Sequence, residues 1–159
     1  MLRAASSRRT DVLCDSLPAG QAHETKGNKQ VEAWDAYVRA HPDATIFHTQ
    51  GWRRAVANTF GHAPIYLSAQ RTGHDTHSEN GVSISGVLPL FQVNSMLLGR
   101  LLVSVPYGVG GGALTDSEET AGMLFDAACR AAEERRCRGI DLRSEEAAFA
   151  EVSLNTGYA

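Results

Sequence analysis

The chain has 159 residues, of which 43% are hydrophobic, and a formal net charge of −3. This length predicts one domain with a core of its own, and the weak negative charge argues against a global basic field for binding DNA. No apolar run approaches the roughly 20 residues of a transmembrane segment. Three cysteines without metal-ligand spacing, Cys14, Cys129 and Cys137, predict reduced thiols in a cytoplasmic protein.

The first third of the chain predicts a tail followed by two helices. Residues 1–28 are expected to be disordered or weakly ordered, with a short strand at 11–13 and a polar loop at 17–28. A helix is predicted at 29–41, where Pro42 ends it. A second helix is predicted at 50–60, with Thr49 as its N-cap and Gly61 as its left-handed stop. Helical spacing predicts the inner face of each helix. The residues are Val31, Trp34, Tyr37 and Val38 for the first helix, and Trp52, Ala55, Val56 and Phe60 for the second.

The middle of the chain predicts three strands, at 65–69, 82–93 and 101–105. Pro89 lacks a backbone donor and therefore predicts a bulge or an unpaired position in the long strand. The polar stretch 71–80 contains His74, Asp75 and His77, which we interpret as a solvated loop because no third anchored metal ligand accompanies the two histidines.

The last third predicts one strongly patterned helix at 115–136 and a strand at 140–143. Thr115 and Glu118 have the spacing of a capping box. Acidic residues at the start of this helix and arginines near its end both favour the helix dipole. The pattern then fades, although residues 145–152 allow the start of another helix.

A glycine-rich bend joins the third strand to the long helix. Its Gly108, Gly110 and Ala113 formally match a dinucleotide-binding fingerprint. The helix begins after the motif rather than within it, and its first turn is acidic, which would repel a pyrophosphate. We therefore interpret the glycines as residues for backbone turning and close packing, and we predict neither a cofactor nor a metal in this domain.

The order of elements resembles the first part of the GNAT acyltransferase fold, and three stretches resemble FemAB-related proteins, in particular the branch associated with exopolysaccharide and PEP-CTERM sorting loci. The stretches are WDAYVRAHPDATIFHTQGWRRAVANTFGH (34–62), GVLPLFQVNSMLLGRLLVSVPYGVGGG (86–112) and AAEERRCRGIDLRS (131–144). The resemblance implies an α/β (α+β) fold with a GNAT-like, mixed but mostly antiparallel sheet flanked by helices. The resemblance covers roughly residues 31–144, and it implies that residues 29–144 are the N-terminal part of such a domain.

The resemblance implies a cytoplasmic acyl or aminoacyl transferase that acts on a cell-envelope precursor or polysaccharide-related acceptor. Trp52, Arg54, Tyr107 and Gly108 match places where the family's first domain contacts its acceptor. Arg54 would pair an acidic group of the acceptor, and Tyr107 would offer a ring face and a hydroxyl. The donor, aminoacyl-tRNA or acyl-CoA, would bind through sequence beyond this chain. No catalytic residue is assigned, although His48 and His62 flank the second helix and are candidates for a general base.

The sequence departs from the family pattern in two ways, and both change the function that we expect. Tyr107 stands where the acyl-CoA pattern Arg/Gln-x-x-Gly-x-Gly/Ala has Arg or Gln, which argues against acyl-CoA binding in this domain. Family members are also about twice as long, so we expect an N-terminal fragment with an incomplete sheet, an aberrant tail at 145–159 and little activity alone. A separately encoded C-terminal half would complete it. The alternatives are a non-catalytic interaction module and a minimal acyl-CoA N-acyltransferase.

Overall fold

A computed structural model describes residues 22–70, 83–97, 99–108 and 110–143, together with the backbone of 150–153. The chain forms a three-layer α+β structure in which one mixed, mostly antiparallel sheet is flanked by helices on both faces. This confirms the predicted fold class and is consistent with a GNAT-like arrangement. The predicted strand at 11–13 and the His74–His77 loop lie outside the described residues.

The described helices are α1 (Asn28–Ala40), α2 (Gln50–Phe60) and α3 (Glu118–Glu134), with a short 3₁₀ helix at Ile46–His48 before α2. Local signals define α2 well. The Thr49 side chain accepts a hydrogen bond from the backbone N–H of Trp52 at 3.2 Å, and Gly61 ends the helix at φ 68°. The inner face differs from the predicted one, because Ala55 is exposed and Phe60 is 49% exposed.

The sheet has the strand order β1-β2-β3-β4-β6-β7, and the two-residue β5 pairs with β3 beside β4. The strands are β1 (Ala22–Glu24), β2 (Ala63–Gln70), β3 (Ile84–Ser95), β4 (Gly99–Val103), β5 (Leu114–Thr115), β6 (Gly139–Leu142) and β7 (Ala150–Ser153). The pair β4 and β6 is parallel, since the chain crosses between them through α3, and the other pairs are antiparallel.

Three sequence predictions are corrected. Residues 22–24 were expected in a loop but form β1, which pairs with β2. The helix expected from Thr115 begins at Glu118 with Ser117 as its cap, because Thr115 is taken into β5 opposite Gly86. The helix allowed at 145–152 is wrong over its last residues, which belong to β7 and pair with β6.

Pro89 shows how the sheet accommodates a residue without a backbone donor. It lies opposite Tyr66 in regular register with β2, and the irregularity of that pair lies instead at Ala69 and Gln70. On the other side of β3, β5 pairs up to Val87 and β4 begins to pair at Phe91. Residues 88–90 therefore face no strand there among the described residues, which agrees with the predicted unpaired position.

Two apolar clusters cover the two faces of the sheet. One lies under α3 and includes Ile65, Leu88, Leu102, Leu124 and Ile140. The other lies under α1 and α2 and is built around Trp34, Val56, Tyr66 and Phe91. In the second cluster, the ring of Tyr66 packs against Trp34 with 4.7 Å between the ring centroids. The glycine-rich bend after β4 lies on this second face, where it meets α2.

Candidate functional site

The glycine-rich bend, residues 104–113, is tied to β6 by backbone hydrogen bonds. The N–H of Ser104 donates to the carbonyl oxygen of Asp141 at 2.9 Å, and the N–H of Gly111 donates to that of Arg143 at 3.0 Å. The N–H of Arg143 donates to the Ser104 hydroxyl at 2.9 Å. The bend is therefore anchored at both ends to a neighbouring strand, which limits its freedom to move.

The side chain of Arg143 clamps the turn at the tip of the bend. Its Nη1 donates to the carbonyl oxygens of Val105 at 3.2 Å and Gly108 at 3.3 Å. Its Nε and Nη2 donate to Asp141 Oδ2 at 3.1 and 2.9 Å. Hydrogen bonds from an ionised group are about twice as strong as neutral ones. The Asp141–Arg143 pair thus fixes the backbone on either side of Pro106 and Tyr107.

Tyr107 lies at the apex of this turn and has a left-handed backbone with φ 65°. A bulky residue rarely adopts this conformation, which costs on the order of 1–2 kcal/mol. Its side chain points outward and is 63% exposed. Non-glycine residues in such sparsely populated backbone conformations are enriched at functional sites.

Three aromatic side chains meet on the surface at this point, and we call Phe60, His62 and Tyr107 the aromatic trio. The Tyr107 and Phe60 ring centroids are 4.2 Å apart, and the Tyr107 hydroxyl lies 3.0 Å from His62 Nε2. The His62 and Tyr107 rings are nearly parallel, at 12°. The trio therefore combines exposed ring faces with two polar tips that hold one another in place.

Beneath the bend, the glycines allow a close approach to neighbouring side chains. A Cβ atom on Gly108 would lie 2.8 Å from Phe47 Cε1 and 2.5 Å from Val105 Cγ1. Phe47 in turn packs edge-on against Trp52, with 4.9 Å between centroids. Phe47, which the sequence analysis did not single out, thus joins the predicted contact residues Trp52 and Gly108.

The far end of the bend is held by Thr45 and His48. The Thr45 hydroxyl donates to the Gly110 carbonyl oxygen at 3.2 Å, while the Thr45 N–H lies 3.1 Å from His48 Nδ1. Because Nδ1 accepts this backbone bond, Nε2 carries the proton and donates to the Gly112 carbonyl oxygen at 3.2 Å. Burial lowers the pKa of His48. His48 is therefore a neutral structural clamp, and only His62 of the two candidate bases is at the exposed surface.

The two neighbouring arginines of α2, Arg53 and Arg54, have different environments. Arg54 is exposed, and its side chain forms no hydrogen bond or ion pair with another described residue. Arg53 is half-buried, lies 5.3 Å above the Tyr66 ring and donates from Nη1 to Gln50 Oε1 at 3.1 Å. The role of Arg54 stays a prediction. Arg53 is three positions from both Gln50 and Val56, the buried residues of α2, and this spacing is the sequence signal that places it on the inner face.

Three buried polar atoms at the interface of α2 with the sheet have no hydrogen-bond partner among the described residues. They are Gln50 Nε2, Trp52 Nε1 and Tyr66 Oη. Buried polar groups of native proteins are almost always paired, with protein, water or ligand. The amide and indole are donors, so an acceptor oxygen is the partner that would satisfy each of them. Burial also raises the pKa of Tyr66 and keeps its hydroxyl protonated.

An open groove of about 410 Å³ lies on the other side of Thr45, between α1 and the 3₁₀ helix. It is lined by both apolar and charged side chains, including Val38, Arg39, His41 and Ile46. We place the site at the bend rather than in this groove, because the left-handed Tyr107 and the exposed rings of the aromatic trio meet there. Among the described residues, no group of three metal-ligand side chains and no helix long and apolar enough to cross a membrane is found.

The chain matches no protein-family model, and a search of curated proteins gave no match. The functional assignment therefore rests on the geometry of the bend together with the resemblance of the sequence stretches.

Proposed function

We propose that the aromatic trio and the adjoining bend bind the acceptor of an acyl or aminoacyl transfer reaction, as part of a cytoplasmic FemAB-like transferase. The acceptor would be a cell-envelope precursor or a polysaccharide-related molecule. The observation that carries the proposal is the exposed Tyr107, held at φ 65° by the Arg143 clamp with its hydroxyl 3.0 Å from His62 Nε2.

The chemistry of the trio fits an acceptor that carries a sugar ring or a peptide. Such ligands have apolar C–H faces beside hydroxyl and amide groups. The Phe60 and Tyr107 rings offer flat apolar surfaces, and the Tyr107 hydroxyl and His62 ring offer a donor and an acceptor at their edge. Because Tyr107 is fixed before binding, little conformational entropy is lost when the ligand stacks on it.

The neighbouring residues have supporting roles in this proposal. Trp52 packs against Phe47 below the bend, and its Nε1 has no partner among the described residues, so it would donate to a carbonyl oxygen. Gly108 keeps the bend close to Phe47 because any larger residue would collide with it. Arg53, rather than Arg54, supplies a positive charge on the inner face of α2.

The proposal for the donor substrate is based only on the resemblance to FemAB-related proteins. The donor would be aminoacyl-tRNA or acyl-CoA, bound by a second domain or by a separately encoded partner. Acceptor binding can be measured without turnover, so its test does not need the donor.

The test is a nuclear magnetic resonance titration of the ¹⁵N-labelled chain with a soluble peptidoglycan stem peptide and, separately, with N-acetylmuramyl dipeptide. We expect shifts concentrated at residues 60–62 and 104–112. Tyr107→Ala should weaken binding by roughly tenfold, and Tyr107→Phe by roughly threefold, since it removes only a hydroxyl.

Asn58→Ala on the exposed face of α2 is the matched control and should bind like the wild type. Arg54→Ala and Arg53→Ala decide between the two arginines. If neither probe shifts the bend, or if Tyr107→Ala binds as tightly as the wild type, the proposed acceptor site is wrong.

A further inference from the structure

The turn between β3 and β4 carries the most exposed apolar side chains of the described residues. Met96 and Leu97 are fully or almost fully exposed, at 105% and 92%. They stand at the end of a two-stranded ribbon rather than on a flat face, because Ser95 pairs with Gly99 across the turn. We call this pair the apolar tip. A protruding apolar pair costs solubility unless it binds something.

Four arginines lie at the same end of the sheet as the apolar tip. Arg135 and Arg136 follow α3, Arg138 precedes β6, and Arg100 lies on β4 next to the turn. The Arg100 guanidinium donates from Nη1 to the Arg135 carbonyl oxygen at 3.2 Å, and the Arg138 N–H donates to the Arg100 carbonyl oxygen at 2.8 Å. A Cβ atom on Gly99 would lie 3.1 Å from Arg138 Cδ, so the Arg138 stem packs against the first residue of β4, two positions after Leu97.

The positive charge of this cluster is only partly balanced. Arg135 pairs with Glu24 at 3.0 Å and lies 3.7 Å from Glu134. Arg100, Arg136 and Arg138 have exposed side chains. None of the three forms an ion pair with another described residue. Three arginines at this end of the sheet therefore have no acidic partner among the described residues, in a chain whose net charge is −3.

We propose that the apolar tip and its arginines dock this protein on an anionic lipid surface. Met96 and Leu97 enter the interface between headgroups and acyl chains, and Arg100, Arg136 and Arg138 lie against lipid phosphates. Apolar insertion combined with a basic rim is the pattern of peripheral membrane anchors, and each part alone binds weakly. A convex tip fits a deformable lipid interface better than nucleic acid, which would use the arginines but leave the tip in water.

This surface is separate from the candidate acceptor site. The tip precedes β4 and the bend follows it, so the five residues of the strand place roughly 15 Å between them. The two proposals can therefore fail independently.

The test is co-sedimentation of the full chain with vesicles of phosphatidylcholine alone and of phosphatidylcholine with 30% phosphatidylglycerol, at low and high salt. We expect binding to the anionic vesicles that weakens with salt. Met96→Ser/Leu97→Ser should reduce the partition coefficient at least tenfold, and Arg136→Gln/Arg138→Gln should reduce it by roughly tenfold or more. Lys29→Gln/Arg39→Gln, which removes two exposed charges from α1, is the matched control and should change it less than twofold.

Because the substituted side chains are exposed, thermal melts should confirm that every variant stays folded. Absence of binding to anionic vesicles at low salt would refute the proposal. Equal binding by the tip variant and the wild type would also refute it, since the attraction would then come from charge alone. Tighter binding to an anionic oligonucleotide than to vesicles would identify the cluster as a nucleic-acid surface instead.

Discussion

The close packing of the glycine-rich bend makes a prediction about Gly111. A Cβ atom on this residue would lie 1.8 Å from Val105 Cγ2, 3.2 Å from Val105 Cβ and 3.0 Å from Phe47 Cβ. Rotation of the Val105 side chain would relieve the first contact only. The other two involve Cβ atoms, which follow the backbone, so Gly111→Ala forces either the bend or the 3₁₀ helix to move.

The size of the effect follows from two contributions. Turning Val105 away from its rotamer costs about 0.5–1.5 kcal/mol, and overpacking a well-packed site costs about 1–3 kcal/mol. Val105 is fully buried, so neighbouring side chains leave it little room to adapt. We therefore expect Gly111→Ala to lower the free energy of unfolding by about 2–4 kcal/mol. For a chain of this size, that corresponds to a fall in Tm of roughly 5–15 °C.

Gly122→Ala is the matched control. Gly122 lies exposed in α3, and nothing stands within 4 Å of the added Cβ. Since alanine is favoured over glycine inside a helix by about 1 kcal/mol, this variant should raise Tm by roughly 2–4 °C. Thermal melts followed by circular dichroism measure both variants. A Tm of Gly111→Ala within a degree of the wild type would show that the bend does not pack as described.

Three further predictions follow from the clamps and the core. Arg143→Met should reduce the free energy of unfolding by about 2 kcal/mol in urea titrations, because two carbonyl oxygens and Asp141 lose a charged partner. The control is Arg130→Met on the exposed face of α3, which should change the free energy of unfolding by less than about 0.5 kcal/mol. Burial holds the pKa of His48 below its ordinary value of 6.5, so the unfolded chain binds a proton at this residue more readily than the folded chain does. The contribution of His48 to the free energy of unfolding should therefore be fully present above about pH 6.5 and decrease as the pH falls below it. Urea titrations at pH 7.5 and 5.5 should show a smaller loss for His48→Gln than for the wild type, and equal losses would contradict this origin. Cys129 and Cys137 are buried, and burial raises the pKa of the Cys137 thiol. In a Cys14→Ala background, neither thiol should therefore react with Ellman's reagent before the protein unfolds. Prompt reaction of the native protein would contradict this prediction.

The elements that were predicted well are those with local signals. The α2 helix has the predicted bounds because its cap, its apolar positions and its terminal glycine all lie within 13 residues and need no partner elsewhere. The buried strands β2, β3, β4 and β6 were placed to within a few residues by their continuous apolar runs. The bend was correctly interpreted as a close-packed turn, since Gly108 and Gly111 do contact Val105 and Phe47.

The elements that were missed depend on a partner distant in the chain. Residues 22–24 have no strand pattern, and only pairing with β2 makes them a strand. Thr115 has a capping-box spacing, but pairing with Gly86 draws it into β5 and leaves the cap to Ser117. Local propensity is a weak prior that such long-range pairing overrides.

The candidate site shows the same division. The sequence by itself determined the fold class, the bounds of α2 and the identity of the glycine-rich bend, because side-chain period, capping and turn chemistry act over a few residues. Only the tertiary structure decided that Phe60 and His62 meet Tyr107, that Arg53 rather than Arg54 faces the core, and that Arg143 clamps the turn. The contact of His62 with Tyr107 and those of Arg143 with the turn join residues that are 35 or more positions apart along the chain, and Arg53 lies over a ring on the neighbouring strand β2. Such contacts depend on how α2, the bend and β6 pack, and no local pattern encodes that packing.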